Sequence, residues 1–137
     1  MGTRSTIALE FADKSVEQVY CHWDGYLSNN GQILAKHYMD PFNVKELVAL
    51  GGFSSLDPTV EGTAVTAYTQ RGEDIRIEKF VDFQDYLAHH QYEEYDYILR
   101  QVDGKAVWFV SDHDGAYVEL TQAIMDEQDR IAQEETA

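Results

Sequence analysis

Residues 19–31, VYCHWDGYLSNNG, carry the densest set of side chains that could do chemistry. If this segment is a strand, His22 and Asp24 lie on one face, where a carboxylate could orient an imidazole for general-base catalysis or metal binding. His113, in SDHDG further along the chain, could add another ligand. The alternative, which we favour, is that His22 and Asp24 are hydrogen-bonded structural residues at a strand end.

The aromatic residues of the same segment allow two interpretations. Tyrosine and tryptophan next to the polar SNNG could stack a base or nucleotide and hydrogen-bond its edges, or they could simply pack in the core or at its rim. We favour packing. The ligand-binding alternative comprises Tyr20, His22, Asp24, Tyr26 and His113.

Cys21 is the only cysteine, which excludes an internal disulfide and a multi-thiolate zinc site and fits a reducing cytoplasm. On a strand it shares a face with Val19 and Trp23, so we expect all three to face the core. The chain has no nucleophile elbow and no glycine-rich phosphate loop. The sequence therefore predicts no catalytic residue, no metal and no cofactor, and a non-enzymatic protein is favoured.

Charge is the strongest compositional feature. The 137 residues include 25 acidic and 10 basic side chains, a formal net charge of −15. Such a field repels nucleic acid and anionic membranes and attracts basic protein surfaces. No apolar run is long enough to span a bilayer. We therefore expect a soluble cytoplasmic protein that binds neither nucleic acid nor membranes directly.

The acidic residues concentrate between positions 73 and 96, where aromatic residues such as Phe83 and Tyr92 are interleaved with them. Protein interfaces combine long-range attraction with aromatic anchors, so we predict a partner-binding surface here. The alternative is that these carboxylates only keep a surface helix soluble. The predicted surface residues are Glu73, Asp74, Glu78, Asp82, Asp85, Glu93, Glu94 and Asp96.

Periodicity and turn residues predict the secondary structure. TIALEFA and VEQVYCHW form one predicted hairpin, and a second hairpin turns at Asp103-Gly104. Helices are predicted over 31–39 with an Asn29 or Asn30 cap, after position 43 with Asn43 and Glu46 as a capping box, and over 82–90. Residues 63–70 alternate weakly and are predicted as a strand.

Apolar residues recur at Leu120, Ile124 and Ile131, which predicts a C-terminal amphipathic helix that ends in an acidic tail at about 132–137. No linker is long enough to divide the chain. The predicted fold is α+β: a single domain over 1–137 with a largely antiparallel β-sheet, helices packed on one face, and the C-terminal amphipathic helix.

The motifs TRSTIA (3–8) and YCHWDGY (20–26), with LGGFSSL and VWFVSDHDG, extend over most of the chain. On these motifs the chain resembles a family of small acidic proteins of bacteriophages and prophages. The resemblance implies a phage setting and a shared fold, and it carries over no activity and no functional residue. The family has Asp-Gly in the first turn where this chain has Asp13-Lys14, a departure that concerns the turn alone.

Small phage accessory proteins often bind host machinery or defence components. Together with the charge, the resemblance predicts an acidic protein that binds and inhibits a host protein with a basic surface, such as a nucleic-acid-binding or defence protein. Mimicry of the negative charge of DNA is one mechanism. The alternative is a small-molecule or nucleotide-binding protein, or a metal-dependent hydrolase, built on YCHWDGY and SDHDG. Whether the protein forms a homo-oligomer is left open.

Overall fold

The computed structural model describes residues 3–111 and 115–136, which form one six-stranded sheet and five α-helices. The predicted α+β class and C-terminal helix are confirmed. The strands are β1 (Ser5–Glu10), β2 (Val16–Cys21), β3 (Glu78–Phe80), β4 (Tyr95–Val102), β5 (Lys105–Ser111) and β6 (Tyr117–Glu119), and the helices are α1 (Gln32–His37), α2 (Pro41–Val48), α3 (Val60–Ala64), α4 (Phe83–His89) and α5 (Leu120–Thr136).

The strand order is β3-β2-β1-β4-β5-β6. Only the central pair, β1 and β4, is parallel, and the other four neighbouring pairs are antiparallel. Both predicted hairpins are confirmed. Their turns use left-handed backbone conformations, with φ of 78° at Lys14, 51° at Asp103 and 79° at Gly104. Glycine adopts this conformation without strain, which gives a physical reason for Asp-Gly turns at such positions.

Helices cover both faces of the sheet, and not one face as predicted. The larger core joins Ile7 of β1 and Leu99 of β4 to Leu34 of α1, and α2, α3 and α5 also contribute to it. On the opposite face α4 covers a smaller core, where its Tyr86 packs with Ala8 and Ile98. Because α4 lies on that second face, β1 is buried on both sides, including its polar residues Thr6 and Glu10.

The prediction of a strand over 63–70 is wrong. This region forms α3 and a short 3-10 turn, Tyr68–Arg71. The Thr59 side chain caps α3 by accepting a hydrogen bond from the Gly62 amide at 3.0 Å. The Thr63 hydroxyl is buried and donates back to the Thr59 carbonyl at 2.9 Å. These threonine side chains favour a helical turn that weak alternation along the sequence does not reveal.

The predicted N-caps are also corrected. A π-helical turn, Leu27–Gly31, leads into α1, whose cap is Gly31 and not Asn29 or Asn30. Pro41 occupies the first turn of α2, and the Asp40 side chain caps that helix by accepting from the Phe42 amide at 2.9 Å. The fixed φ of proline suits a first helical position, so Pro41 begins a helix, and the cap lies three residues before the predicted Asn43.

The C-terminal helix α5 is anchored at its start. Leu120 is fully buried and Ile124 packs against the larger core, whereas Ile131 is 41% exposed. The predicted apolar stripe therefore contacts the domain over the first turns only. Within the described ranges, no helix is both long and apolar enough to cross a membrane.

Candidate functional site

Cys21 lies in the larger core, and its predicted burial is confirmed. The Asn30 side-chain amide donates to its sulfur at 3.5 Å and to the Ser5 hydroxyl at 3.2 Å. Burial raises the pKa of the Cys21 thiol to about 11. The thiol therefore keeps its proton at neutral pH, and the nucleophilic thiolate does not form.

The DGY part of the motif holds the chain in a tight turn. Asp24 has a left-handed backbone with φ of 57°, and its carbonyl accepts from the Asn29 side-chain amide at 3.2 Å. A Cβ on Gly25 would lie 2.7 Å from the Ser5 Cβ. The Tyr97 hydroxyl donates to the Gly25 carbonyl at 2.6 Å. The requirements of the fold therefore explain why Asp24 and Gly25 occur in this motif.

His22 pairs with Tyr20, whose hydroxyl lies 2.8 Å from the imidazole Nδ1. The Trp23 ring meets His22 edge-on and is 42% exposed, so the expectation that Trp23 faces the core is wrong. The Asp24 and Tyr26 side chains are exposed. The structure thus brings Tyr20 and His22 together, and it does not pair His22 with Asp24.

No three His, Cys, Asp or Glu side chains in residues 3–111 and 115–136 come close enough together to hold a metal. His113, the remaining member of the predicted ligand set, lies outside the described residues.

A cleft of about 620 Å³ opens beside β2. Its lining includes Gln18 and Tyr20 of β2, the glycine pair 51–52, Tyr68 and the segment 73–78. This volume falls in the range of ligand pockets, roughly 300 to 1,000 Å³. One residue of the predicted ligand set, Tyr20, therefore shares a cleft with the beginning of the predicted acidic surface.

Gly51 allows the segment 73–78 to approach β2 and form the cleft. It has φ of 79°, and a Cβ there would lie 2.6 Å from the Ile75 Cγ2. The Arg76 amide donates to the Gly51 carbonyl at 3.1 Å. A side chain at Gly51 would separate the two segments. The adjacent glycines of LGGF are the sequence signal for this close approach.

Gln18 lines the cleft and is 1% exposed. Its Nε2 donates to Glu78 Oε1 at 3.1 Å and to the Gln91 carbonyl at 3.3 Å. Because both of these oxygens only accept, the orientation of the amide is fixed and Oε1 points away from them. That oxygen is buried with no hydrogen-bond partner among the described residues. A buried unpaired acceptor costs about 1–3 kcal/mol of stability.

The cleft is acidic. Three carboxylates in its lining, those of Glu73, Asp74 and Glu78, outnumber the single guanidinium of Arg76. Burial raises the pKa of the Tyr20 phenol; the positive charge of Arg4 opposes this increase, and the Glu93 carboxylate adds a smaller contribution to it.

Other members of the predicted acidic surface have structural roles. Asp82 caps α4 by accepting from the Asp85 amide at 2.8 Å. Asp85 accepts from the Val81 amide at 3.0 Å and pairs with His89 at 2.8 Å. Both carboxylates thus stabilise the start of α4, a helix-capping role that a count of charges does not distinguish from a binding role.

The prediction that Asp96 belongs to the partner-binding surface is wrong, because Asp96 is only 1% exposed. Its Oδ1 accepts from the Thr6 hydroxyl at 2.6 Å and from the Glu93 amide at 3.1 Å. Burial raises the pKa of this carboxyl to about 6, although both hydrogen bonds oppose the increase. Its position on β4, next to the doubly buried β1, explains why alternation could not reveal its burial.

His90 lies in an aromatic cluster under α4. Its ring stacks on Tyr86 with 3.9 Å between centroids. Its Nδ1 lies 3.0 Å from the Gln91 carbonyl, so Nδ1 carries the proton, and its Nε2 lies 3.0 Å from the Tyr117 hydroxyl oxygen. Burial lowers the pKa of His90 to about 4, which keeps the imidazole neutral at physiological pH.

Comparison with protein-family models, with curated proteins and with solved structures finds no match for this chain.

Proposed function

We propose that the protein is an acidic accessory protein of phage type that binds the basic surface of a host protein and inhibits it. The carboxylates at positions 73, 74 and 78 lie at the centre of the contact surface. One observation supports this placement most directly: these three exposed carboxylates line a single cleft together with Tyr20 and Tyr68.

Charge and aromatic side chains contribute differently to such binding. The net charge of −15 accelerates encounter with a basic protein, and this effect weakens as salt is added. Tyrosines in a cleft supply the desolvated contacts that hold a complex together. Host surfaces that normally hold nucleic acid are both basic and open, so the partner in this proposal is a nucleic-acid-binding or defence protein and the acidic surface competes with DNA.

Binding of a small molecule in the same cleft is the second candidate function, favoured by the cleft volume of about 620 Å³. The excess of carboxylates over Arg76 disfavours an anionic nucleotide and favours a neutral or cationic ligand. The two candidates differ in their salt dependence, because a buried neutral ligand responds little to ionic strength.

The test compares two charge-reversal variants in capture experiments from a bacterial host lysate. The cleft variant carries Glu73→Lys and Asp74→Lys, and the matched control carries Asp129→Lys and Glu135→Lys on the exposed part of α5. Both variants have a net charge of −11. The cleft variant loses the exposed Arg71–Glu73 ion pair, which is worth at most about 1 kcal/mol, so it should fold.

We expect the wild-type protein and the control to capture the same partner, and the cleft variant to lose it by tenfold or more at low salt (about 1.4 kcal/mol). Added duplex DNA should release the captured partner. Equal capture by both variants would show that total charge matters and the cleft does not, and capture that DNA leaves unchanged would refute the competition with nucleic acid.

A further inference from the structure

We propose that the cleft beside β2 receives an arginine side chain of the partner protein, with the guanidinium against Tyr20 and Tyr68 and hydrogen-bonded to Gln18 and Glu78. This inference rests on the proposed function, because it assigns the residue type that the acidic surface recognises. It names a specific anchor in place of general attraction between charges.

The first support is the unpaired oxygen of Gln18. The side chain is 1% exposed, its amide nitrogen is fixed by Glu78 and the Gln91 carbonyl, and its Oε1 has no partner among the described residues. A buried acceptor that no described group of the protein satisfies takes its hydrogen bond from a donor outside the chain, either water or a ligand that replaces it. The Glu78 carboxylate lies next to the same amide, so a ligand that donates to both oxygens must present more than one N–H group or a positive charge.

The second support is the pair of aromatic rings. Tyr20 and Tyr68 both line the cleft. The Tyr68 ring already contacts a guanidinium within the chain, because the Cζ of Arg71 lies over it, 4.7 Å from its centre. A planar guanidinium stacks well on tyrosine, and its five N–H groups leave in fixed directions. Lysine is a compact, strongly hydrated charge that matches flat rings and separated acceptors less well.

The third support is charge and size. The three carboxylates of Glu73, Asp74 and Glu78 and the one guanidinium of Arg76 together give the lining a net charge of −2. Arg76 is exposed and screened by water, and Arg71, outside the lining, pairs with Glu73. A cleft of about 620 Å³ also exceeds the volume of one side chain. It has room for the residues that flank an arginine in a polypeptide, so a protein segment can present the guanidinium there.

The direct test is titration of the ¹⁵N-labelled full chain with acetyl-Gly-Ser-Arg-Ser-Gly-amide, followed by amide chemical shifts. Parallel titrations use the same peptide with lysine or citrulline in place of arginine, and agmatine as the free guanidinium. We expect the arginine peptide to perturb the amides of Gln18, Tyr20 and Glu78, and to bind at least about fivefold more tightly than the lysine peptide and agmatine.

Three variants locate the site. Glu78→Gln keeps a hydrogen-bond acceptor for Gln18 and removes one charge, and Glu119→Gln removes one charge from an exposed position on β6. Gln18→Met removes the unpaired oxygen at nearly constant volume. We expect the Glu78 and Gln18 variants to weaken binding of the arginine peptide by about tenfold while the Glu119 variant leaves it unchanged. Urea titrations should show that Gln18→Met remains folded.

Each other outcome overturns the inference in a different way. Equal binding of the arginine and lysine peptides would show a general cation site, and agmatine binding as tightly as the peptide would indicate a small-molecule ligand. If no peptide perturbs the cleft while the double reversal at Glu73 and Asp74 still abolishes partner capture, the arginine assignment is wrong and the proposed function stands. If capture is also insensitive to that reversal, both fail.

Discussion

Replacing Asp96 by asparagine should change how stability depends on pH. Asp96 is buried, accepts hydrogen bonds from Thr6 and Glu93, and has no cationic partner among the described residues. Burial raises its pKa from 3.8 to about 6. The folded state therefore favours the protonated form. Stability from this group is fully present below pH 3.8 and is lost as pH rises through 6, and the loss amounts to about 3 kcal/mol at 1.36 kcal/mol per pKa unit.

His90 has the opposite dependence. Burial lowers its pKa from 6.5 to about 4, so the folded state favours the neutral form. Stability from His90 is fully present above pH 6.5 and is lost as pH falls through 4, again by about 3 kcal/mol. Between about pH 4 and 6 the two contributions nearly cancel. The free energy of unfolding of the wild-type protein should therefore change little over this pH range. In Asp96→Asn it should show the pH dependence that His90 causes.

The assay is urea unfolding of the wild-type protein and the variant from pH 4 to 7.5, followed by the fluorescence of the buried Trp108. We expect the variant's stability relative to wild type to rise by about 2.4 kcal/mol between pH 4 and 7, since part of the change already lies below pH 4. Glu94→Gln, which removes an exposed carboxylate nearby, is the control, and its difference from wild type should stay flat. If the Asp96→Asn difference is equally flat, the carboxyl titrates normally and the reasoning from burial is wrong.

Three further predictions concern the motif segment and the first turn. A thiol reagent should label Cys21 in the native protein at least ~100-fold more slowly than in urea, because a thiol with a pKa of about 11 forms little thiolate; similar rates would contradict its burial. Gly25→Ala should cost about 1–3 kcal/mol in urea unfolding, since the new Cβ would meet Ser5 and the Thr3 carbonyl; an unchanged midpoint would refute the close contact. Lys14→Gly should stabilise the protein by up to ~1 kcal/mol in thermal unfolding, because it relieves the left-handed conformation of Lys14; a lower melting temperature would count against this strain.

Local patterns predicted the elements whose structure is fixed locally. Both hairpins, α4 and α5 were predicted because alternation, an Asp-Gly turn and helical spacing are properties of neighbouring residues. The burial of Cys21 followed from the same alternation. The region 63–70 was mispredicted because its weak alternation competes with threonine hydrogen bonds that depend on a helical backbone, such as that of Thr63.

The placement of acidic residues depended on contacts that are distant in sequence. Eight carboxylates between positions 73 and 96 look equivalent in the sequence, yet Asp82 and Asp85 cap α4 and Asp96 is buried. The parallel pairing of β1 with β4, across about 90 residues of sequence, places Asp96 beside Thr6. Burial on both faces of a central strand removes the polar alternation that would otherwise mark such a residue as internal.

The sequence by itself determined the charge and the α+β class, because these follow from composition and periodicity. Only the tertiary structure decided that Gln18, Tyr20 and Tyr68 meet the acids of 73–78 in one cleft. These residues come from three separate segments, and the close approach at Gly51 brings them together. The glycine pair permits that approach, but which segment meets it is fixed by packing between segments distant in sequence.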